Sequence, residues 1–249
     1  DFDYANELLN DIVRYRNTLL SKFDNIGNQD FATGKLAEAY IFTEKYDEAK
    51  EIINKLSPYQ YYCQDRILGE LHYNANDLQK SRYHYELSFA NSLHWVIHDL
   101  FRLYATTADF KGQNYETYDP QKCMDVAKYI YALIEIFCDK SLPYPYHMEY
   151  MKTCEFIAQG YMDMGDKESA LKYLSELVSL SEERNKYVGQ RPPLERCFPL
   201  ISDVAEEFYP ISPIDKQYLT RVFARNKYKR FGDDERFIAL KQRIEKIIG

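Results

Sequence analysis

The sequence predicts an all-α protein built from successive antiparallel helix pairs. One observation is a pair of small residues that recurs along the chain at a fixed separation, as close contact between two helices requires. Another is the spacing of apolar residues, which fall three or four positions apart, as on one face of a helix. A third is a set of capping and turn signals that divide these apolar stretches into helices of ordinary length.

The recurring small residues define three helix–turn–helix units. The pairs are Ala37 with Ala49, Gly69 with Ser81, and Ala158 with Ala170. In every pair the two residues are 12 positions apart, and the first two units are offset by 32 positions. Self-similarity at such a period is typical of helical-repeat proteins. We therefore expect all six small residues to be buried between paired helices.

This pattern resembles the tetratricopeptide repeat, whose period is about 34 residues. Residues 157–177 match best, with Tyr161, Gly165, Ala170, Leu174 and Leu177 in the family's preferred places. The resemblance covers at least residues 30–183 and implies a right-handed superhelix of helix pairs. We expect one repeat domain over residues 1–249, with repeats near 30–58, 62–90, 93–138 and 147–183, followed by irregular helices and a C-terminal capping helix over 192–249.

The repeat near 93–138 is inferred from an apolar stripe and a capping signal. The stripe consists of Leu93, Val96, Ile97, Leu100, Phe101 and Tyr104. Asp119 followed by Pro120 is typical of a helix cap and first turn. The intervening residues 108–118 form a loop longer than the family norm, which is either functional or a tolerated insertion.

The two ends of the chain are less regular. Apolar residues between positions 5 and 20 predict a helix that is half of an earlier repeat, and we expect an N-terminal part to precede Asp1. After a break at 189–193, a helix is expected to end near Tyr209 and Pro210. Ser212-Pro213-Ile214-Asp215 is predicted to form the cap and first turn of the next helix, and Asp233-Asp234-Glu235 those of the last one. That last helix has one apolar face, suited to sealing the open end of a repeat stack.

The C-terminal segment resembles the end of certain bacterial regulators, in which an Xre-type helix-turn-helix domain precedes a tetratricopeptide array. The shared element is Asp234-Glu235-Arg236-Phe237. No helix-turn-helix segment is present in these residues. The resemblance therefore implies a bacterial, cytoplasmic sensor and dimerisation region without its DNA-binding domain, a possible homodimer that binds a small peptide.

Composition and motifs narrow the function classes. The net charge of −7 argues against a direct grip on nucleic-acid phosphates, and no apolar run approaches the roughly 18 residues of a membrane span. Five scattered cysteines favour a reducing cytoplasm. Phosphate-binding glycine loops and the GxSxG nucleophile motif are absent from the sequence, so we predict neither enzymatic activity nor a cofactor.

Two clusters leave an alternative open. His94 and His98 lie one helical turn apart and suit zinc, but no third ligand is signalled, which favours a polar groove face over a metal site. The cations between Arg221 and Arg230 are interleaved with Phe223 and Tyr228, and they suit either nucleic acid or, more simply, a basic helix C-terminus.

We place the binding site on the concave surface formed by the first helix of each repeat. Counting from the small residues selects Glu38, Phe42, Arg66, Glu70, Tyr73, Asn74, Trp95, His98, Arg102, Lys152, Glu155 and Gln159. Arginine can pair with a peptide carboxylate, and aromatic rings can cover peptide side chains. Three functions fit such a groove: the sensor region of a transcription regulator, a general protein-interaction scaffold, or a Rap-like modulator of a response regulator.

Overall fold

The computed structural model describes residues 26–56, 64–107, 119–201, 204 and 210–248. Regular structure in these residues is helical, with no strand, which confirms the all-α class. The chain divides into two compact units, Asp1–His94 and Trp95–Gly249, and each is described by itself. Across the described residues, no helix combines the length and the apolar character needed to cross a bilayer.

The first unit consists of two helix pairs. Its helices are α1 (Ile26–Phe42), α2 (Tyr46–Ile53), α3 (Gln64–Asn74) and the first part of α4 (Leu78–Thr107). Their apolar faces form one core, made of Ala37, Ile41, Ala49, Ile53, Leu56, Ile67 and Leu71. Helix α4 is continuous, so the second helix of the repeat predicted near 62–90 runs directly into the first helix of the repeat predicted near 93–138.

A glycine permits the close approach of α3 and α4. Gly69 is buried, and the Ser81 hydroxyl donates a hydrogen bond of 2.9 Å to its carbonyl oxygen. A Cβ atom on Gly69 would lie only 2.8 Å from Cδ1 of the Tyr85 ring. The side chains of Ala37, Ala49, Ala158 and Ala170 are fully buried as well. The predicted burial of all six small residues is thereby confirmed.

The three helix pairs that contain these residues share one turn geometry. Seven positions after the first small residue of each pair, the backbone is left-handed, at Glu44 (φ 60°), Asn76 (φ 59°) and Gly165 (φ 83°). The next residue then donates to a carbonyl in the preceding helix. These bonds run from Lys45 N to Tyr40 O, from Asp77 N to His72 O, and from Asp166 N to Tyr161 O, at 2.9, 2.8 and 2.9 Å. A left-handed residue closing a helix satisfies carbonyl groups that would otherwise lack donors.

The second unit holds the rest of α4 and the remaining helices. They are α5 (Pro120–Phe137), α6 (His147–Asp163), α7 (Lys167–Asn185), α8 (Leu194–Cys197), α9 (Lys216–Phe223), a 3₁₀ helix (Asn226–Phe231) and α10 (Glu235–Ile248). Tyr104 of α4 stacks on Phe156 of α6 with ring centroids 4.1 Å apart. Around them lies a core that includes Met124, Ala127 and Ile157.

The capping predictions have mixed outcomes. The Asp119 carboxylate accepts bonds from the Gln121 and Lys122 amides, with Pro120 in the first turn, as predicted. The next predicted cap, Ser212, is wrong, because α9 begins at Lys216 and is capped by the Asp215 side chain. The Ser212 carbonyl instead accepts two bonds from the Arg184 guanidinium, which keeps this segment out of the helix.

The C-terminal helix packs on α7 through the Asp-x-Arg-Phe element. The Arg236 guanidinium donates to both carboxylate oxygens of Glu168, each at 2.7 Å. The buried Phe237 ring stacks on Phe231 and Phe223 at centroid distances of 4.7 and 5.7 Å. The predictions for the helix over residues 5–20, the loop at 108–118 and the helix end near Tyr209 lie outside the described residues.

Candidate functional site

Six of the predicted groove residues lie in the first unit, on α1 and α3. An ion pair joins the two helices, because Arg66 Nη2 lies 2.7 Å from Glu38 Oε1. Lys35 Nζ lies 2.8 Å from the other oxygen of the same carboxylate. Both oxygens of Glu38 are therefore engaged, and the guanidinium predicted to receive a peptide carboxylate already has one within the chain.

A second polar group lies further along α3. The Tyr85 hydroxyl donates to Glu70 Oε2 at 2.6 Å, and the Asn74 amide donates to the Glu70 carbonyl and to Oε1 at 2.9 and 3.3 Å. Burial, and then the Glu70 carboxylate, raise the pKa of Tyr85 above its ordinary value, so this hydroxyl remains a donor. Tyr85 lies on α4, in the second helix of its pair, and was therefore not among the candidates predicted from first-helix positions.

Two large aromatic side chains stand exposed beside this polar framework. Phe42 at the end of α1 is 79% exposed, and Tyr73 near the end of α3 is 60% exposed. The Tyr46 hydroxyl donates to the Asn74 carbonyl at 3.3 Å, which places the end of α3 beside the turn that follows α1. We name this region the α1–α3 surface, and it consists of Glu38, Phe42, Arg66, Glu70, Tyr73 and Asn74.

Three predicted residues lie on the part of α4 that belongs to the second unit. The Trp95 and His98 rings meet edge to face with centroids 5.6 Å apart. Arg102 Nε lies 3.4 Å from His98 Nε2, and His98 Nδ1 lies 3.5 Å from the Asp99 carboxylate. These side chains form a local cluster along one helix. Within the part of the chain that the structure covers, no group of three or more His, Cys, Asp and Glu side chains is arranged to hold a metal ion.

The last predicted residues, on α6, face the chain's own C-terminal segment. Glu155 is 2% exposed; it accepts a bond from the Gln159 amide at 2.9 Å and pairs with Arg225. Gln159 is buried too, whereas Lys152 is half-buried. Burial raises the pKa of Glu155, and the Arg225 charge opposes that rise. Glu155 and Gln159 therefore help to hold the fold together and do not line an open surface.

Several cations of the basic run between Arg221 and Arg230 have partners within the second unit. Lys227 Nζ lies 2.6 Å from an Asp163 carboxylate oxygen. Arg230 Nη1 donates to the Met162 carbonyl at 3.4 Å, while its own carbonyl accepts from Lys167 Nζ at 2.5 Å. These contacts attach the 3₁₀ helix to the end of α6. They favour the structural interpretation of the run over nucleic-acid binding.

The described cysteines are buried thiols. Cys123, Cys138, Cys154 and Cys197 are unpaired as disulfides. Burial raises the pKa of Cys138 to about 12 and that of Cys197 to about 11. Since the thiolate is the nucleophile, these two groups are poorly suited to covalent chemistry at neutral pH.

Comparison of the chain with protein-family models, with curated proteins and with solved structures gives no match. The family resemblance therefore rests on the residues themselves.

Proposed function

We propose that this chain is a non-catalytic binding protein whose α1–α3 surface takes an extended segment of a peptide or protein partner. The observation that supports this most is the exposure of Phe42 and Tyr73 beside polar groups that already have partners. Aromatic rings bury about 150–250 Å² each in a contact, and burial of apolar area contributes about 25 cal/mol per Å². Two such rings on one surface favour a binding role.

The polar residues of this surface indicate which chemical groups the partner segment carries. Because Arg66 and Glu38 neutralise each other, an additional partner carboxylate would have to displace an existing ion pair. The rings instead favour apolar side chains, and the Asn74 and Glu70 groups can exchange bonds with a peptide backbone. The proposed occupant is therefore an extended segment with apolar side chains and an unpaired backbone, rather than an acidic tail read by arginine.

The finer form of the proposal follows the family resemblance. The shared turn geometry of three helix pairs supports a tetratricopeptide-like superhelix. The packing of α10 through Arg236 and Phe237 supports the likeness to the end of regulator arrays. On that basis the chain is the sensor and dimerisation part of a bacterial transcription regulator, acting in the cytoplasm through a partner peptide.

Peptides selected from a random library on the immobilised chain provide the test. We expect the selected peptides to bind the parent chain. Tyr73→Ala should weaken their binding free energy by about 2 kcal/mol, which raises Kd roughly 30-fold, because it removes a buried aromatic contact. Phe42→Ala should weaken the same peptides.

Tyr129→Ala is the matched control, because Tyr129 of α5 is a tyrosine with 69% exposure in the other unit. Peptides that bind Tyr73→Ala and Phe42→Ala as tightly as the parent would show that this surface is not the binding site.

A further inference from the structure

Arg184 of α7 is a buried cation, and no carboxylate among the described residues forms an ion pair with it. Its side chain is 4% exposed, and its Nε and Nη2 atoms donate to the Ser212 carbonyl at 3.0 and 2.6 Å. The third nitrogen, Nη1, is buried and finds no hydrogen-bond partner among the residues that the structure describes. Burial lowers the pKa of Arg184 to about 10, and among the described residues Tyr144 and Glu149 oppose that shift.

His147, the first residue of α6, is a second buried group with unused hydrogen-bonding capacity. It is 7% exposed, and in the described part of the chain neither ring nitrogen has a hydrogen-bond partner. Its ring stacks on Tyr144 with centroids 5.8 Å apart. The Ser181 hydroxyl, one turn before Arg184, lies 3.9 Å from the sulfur of Met151, one turn after His147, so the antiparallel helices α6 and α7 bring the two groups to the same level.

Burying the Arg184 charge and the His147 ring nitrogens lowers the stability of the fold unless another molecule supplies the missing hydrogen bonds. A buried charge is ordinarily paired, and an unsatisfied buried polar group points to a water molecule or an ion that completes its bonding. A water molecule can accept from Arg184 Nη1, but it does not neutralise the guanidinium. The first turn of α6, next to His147, also favours negative charge, part of which its own Glu149 supplies.

We propose that Arg184 and His147 bind a small anion, such as chloride or a monocarboxylate, between α6 and α7. Nη1 of Arg184 donates to the anion, the imidazole N–H supplies a second donor, and the Tyr144 ring holds the imidazole in place. The limited exposure of both side chains restricts the site to ions of a few atoms. This site is independent of the α1–α3 surface and of the partner proposed for it.

The test is thermal unfolding of the full chain in chloride, formate or inorganic phosphate up to about 50 mM. Sodium gluconate, whose anion is too large for the site, keeps the ionic strength constant. A ligand at ten times its Kd raises the Tm by about 3 to 5 °C in a chain of this size. We expect that rise with chloride or formate, and a smaller one with phosphate. An equal Tm in all four salts would overturn the proposal and leave water as the occupant.

Variants locate the effect. His147→Phe keeps a stacked ring, removes both nitrogens and breaks no hydrogen bond seen in the structure, so it should fold and lose most of the Tm rise. Arg196→Gln, at an exposed arginine paired with Asp139, controls for non-specific anion effects and should keep the full rise. A full rise in His147→Phe would place the anion elsewhere and refute the site.

A direct readout covers the case in which His147→Phe fails to fold. The imidazole signals of the parent are followed by NMR during a formate titration. We expect a buried histidine to shift with the same Kd that the melting data give. If only exposed histidines respond, the proposal fails.

Discussion

The contact between Gly69 and Tyr85 provides a prediction whose sign reverses with the background. In Gly69→Ala the new Cβ atom would lie 2.8, 2.9 and 3.0 Å from three atoms of the Tyr85 ring, against an optimal carbon–carbon separation of about 3.5–4.0 Å. The ring is also held by its hydroxyl bond to Glu70. Overpacking of this kind costs about 1–3 kcal/mol, while replacing glycine by alanine within a helix returns about 1 kcal/mol. The expected net loss of stability is about 0–2 kcal/mol.

Removing the ring should reverse the outcome. In the Tyr85→Ala background, Gly69→Ala meets no ring and should stabilise the chain by about 1 kcal/mol through helix propensity alone. Urea unfolding followed by far-UV circular dichroism on the four proteins of this cycle gives the coupling energy, expected at about 1–3 kcal/mol.

Gly160 supplies the matched control for this cycle. It is a helix glycine of the other unit, and the three atoms nearest to a Cβ there are Cβ, Cγ and Sδ of Met124, the first at 3.2 Å. Gly160→Ala should change stability equally with and without Tyr85. A coupling energy near zero for Gly69 and Tyr85 would refute the close approach of α3 and α4.

Three further predictions follow from the turns, the C-terminal helix and the buried histidine. Glu44→Gly should raise stability by about 1 kcal/mol and Gly165→Ala should lower it by about as much, since both positions are left-handed. If urea unfolding shows that the two substitutions change the free energy of unfolding in the same direction, the shared turn geometry is contradicted. Phe237→Ala should cost about 3–5 kcal/mol, against under about 1 kcal/mol for its neighbour Ile238→Ala, which is 40% exposed. Burial, and then the Arg184 charge, lower the pKa of His147 from 6.5 to about 3. The stability it contributes is therefore present at neutral pH and lost as the pH falls from 6.5 toward 3; His147→Phe in gluconate should flatten this part of the stability–pH curve, and an unchanged curve would contradict it.

The sequence predicted the helix pairs because their determinants are local. Small residues at a fixed separation lie where the paired helices touch, and the turn residues follow them at a constant interval. The Asp119 cap was also predictable, since an aspartate before a proline specifies a first turn with few alternatives. Within the described helices, these features depend on neighbours only a few positions away.

The parts that sequence reasoning missed depend on contacts between distant residues. Ser212 has the residue type of a cap, but Arg184, 28 positions earlier, takes its carbonyl. Glu155 occupies a first-helix position that the repeat pattern assigns to a groove, yet Arg225, 70 positions later, covers it. Tyr85 reaches Glu70 because the glycine beneath its ring allows α4 to approach α3.

Amide hydrogen exchange is the most direct test of the claim that the α1–α3 surface binds a partner segment. The exchange of the chain is compared with and without a peptide selected on it. We predict new protection in residues 38–46 and 66–76, which include Phe42, Tyr73 and Asn74, and no change in α5, which carries the exposed control Tyr129. Protection confined to α5 or α10, with none at the ends of α1 and α3, would contradict the claim.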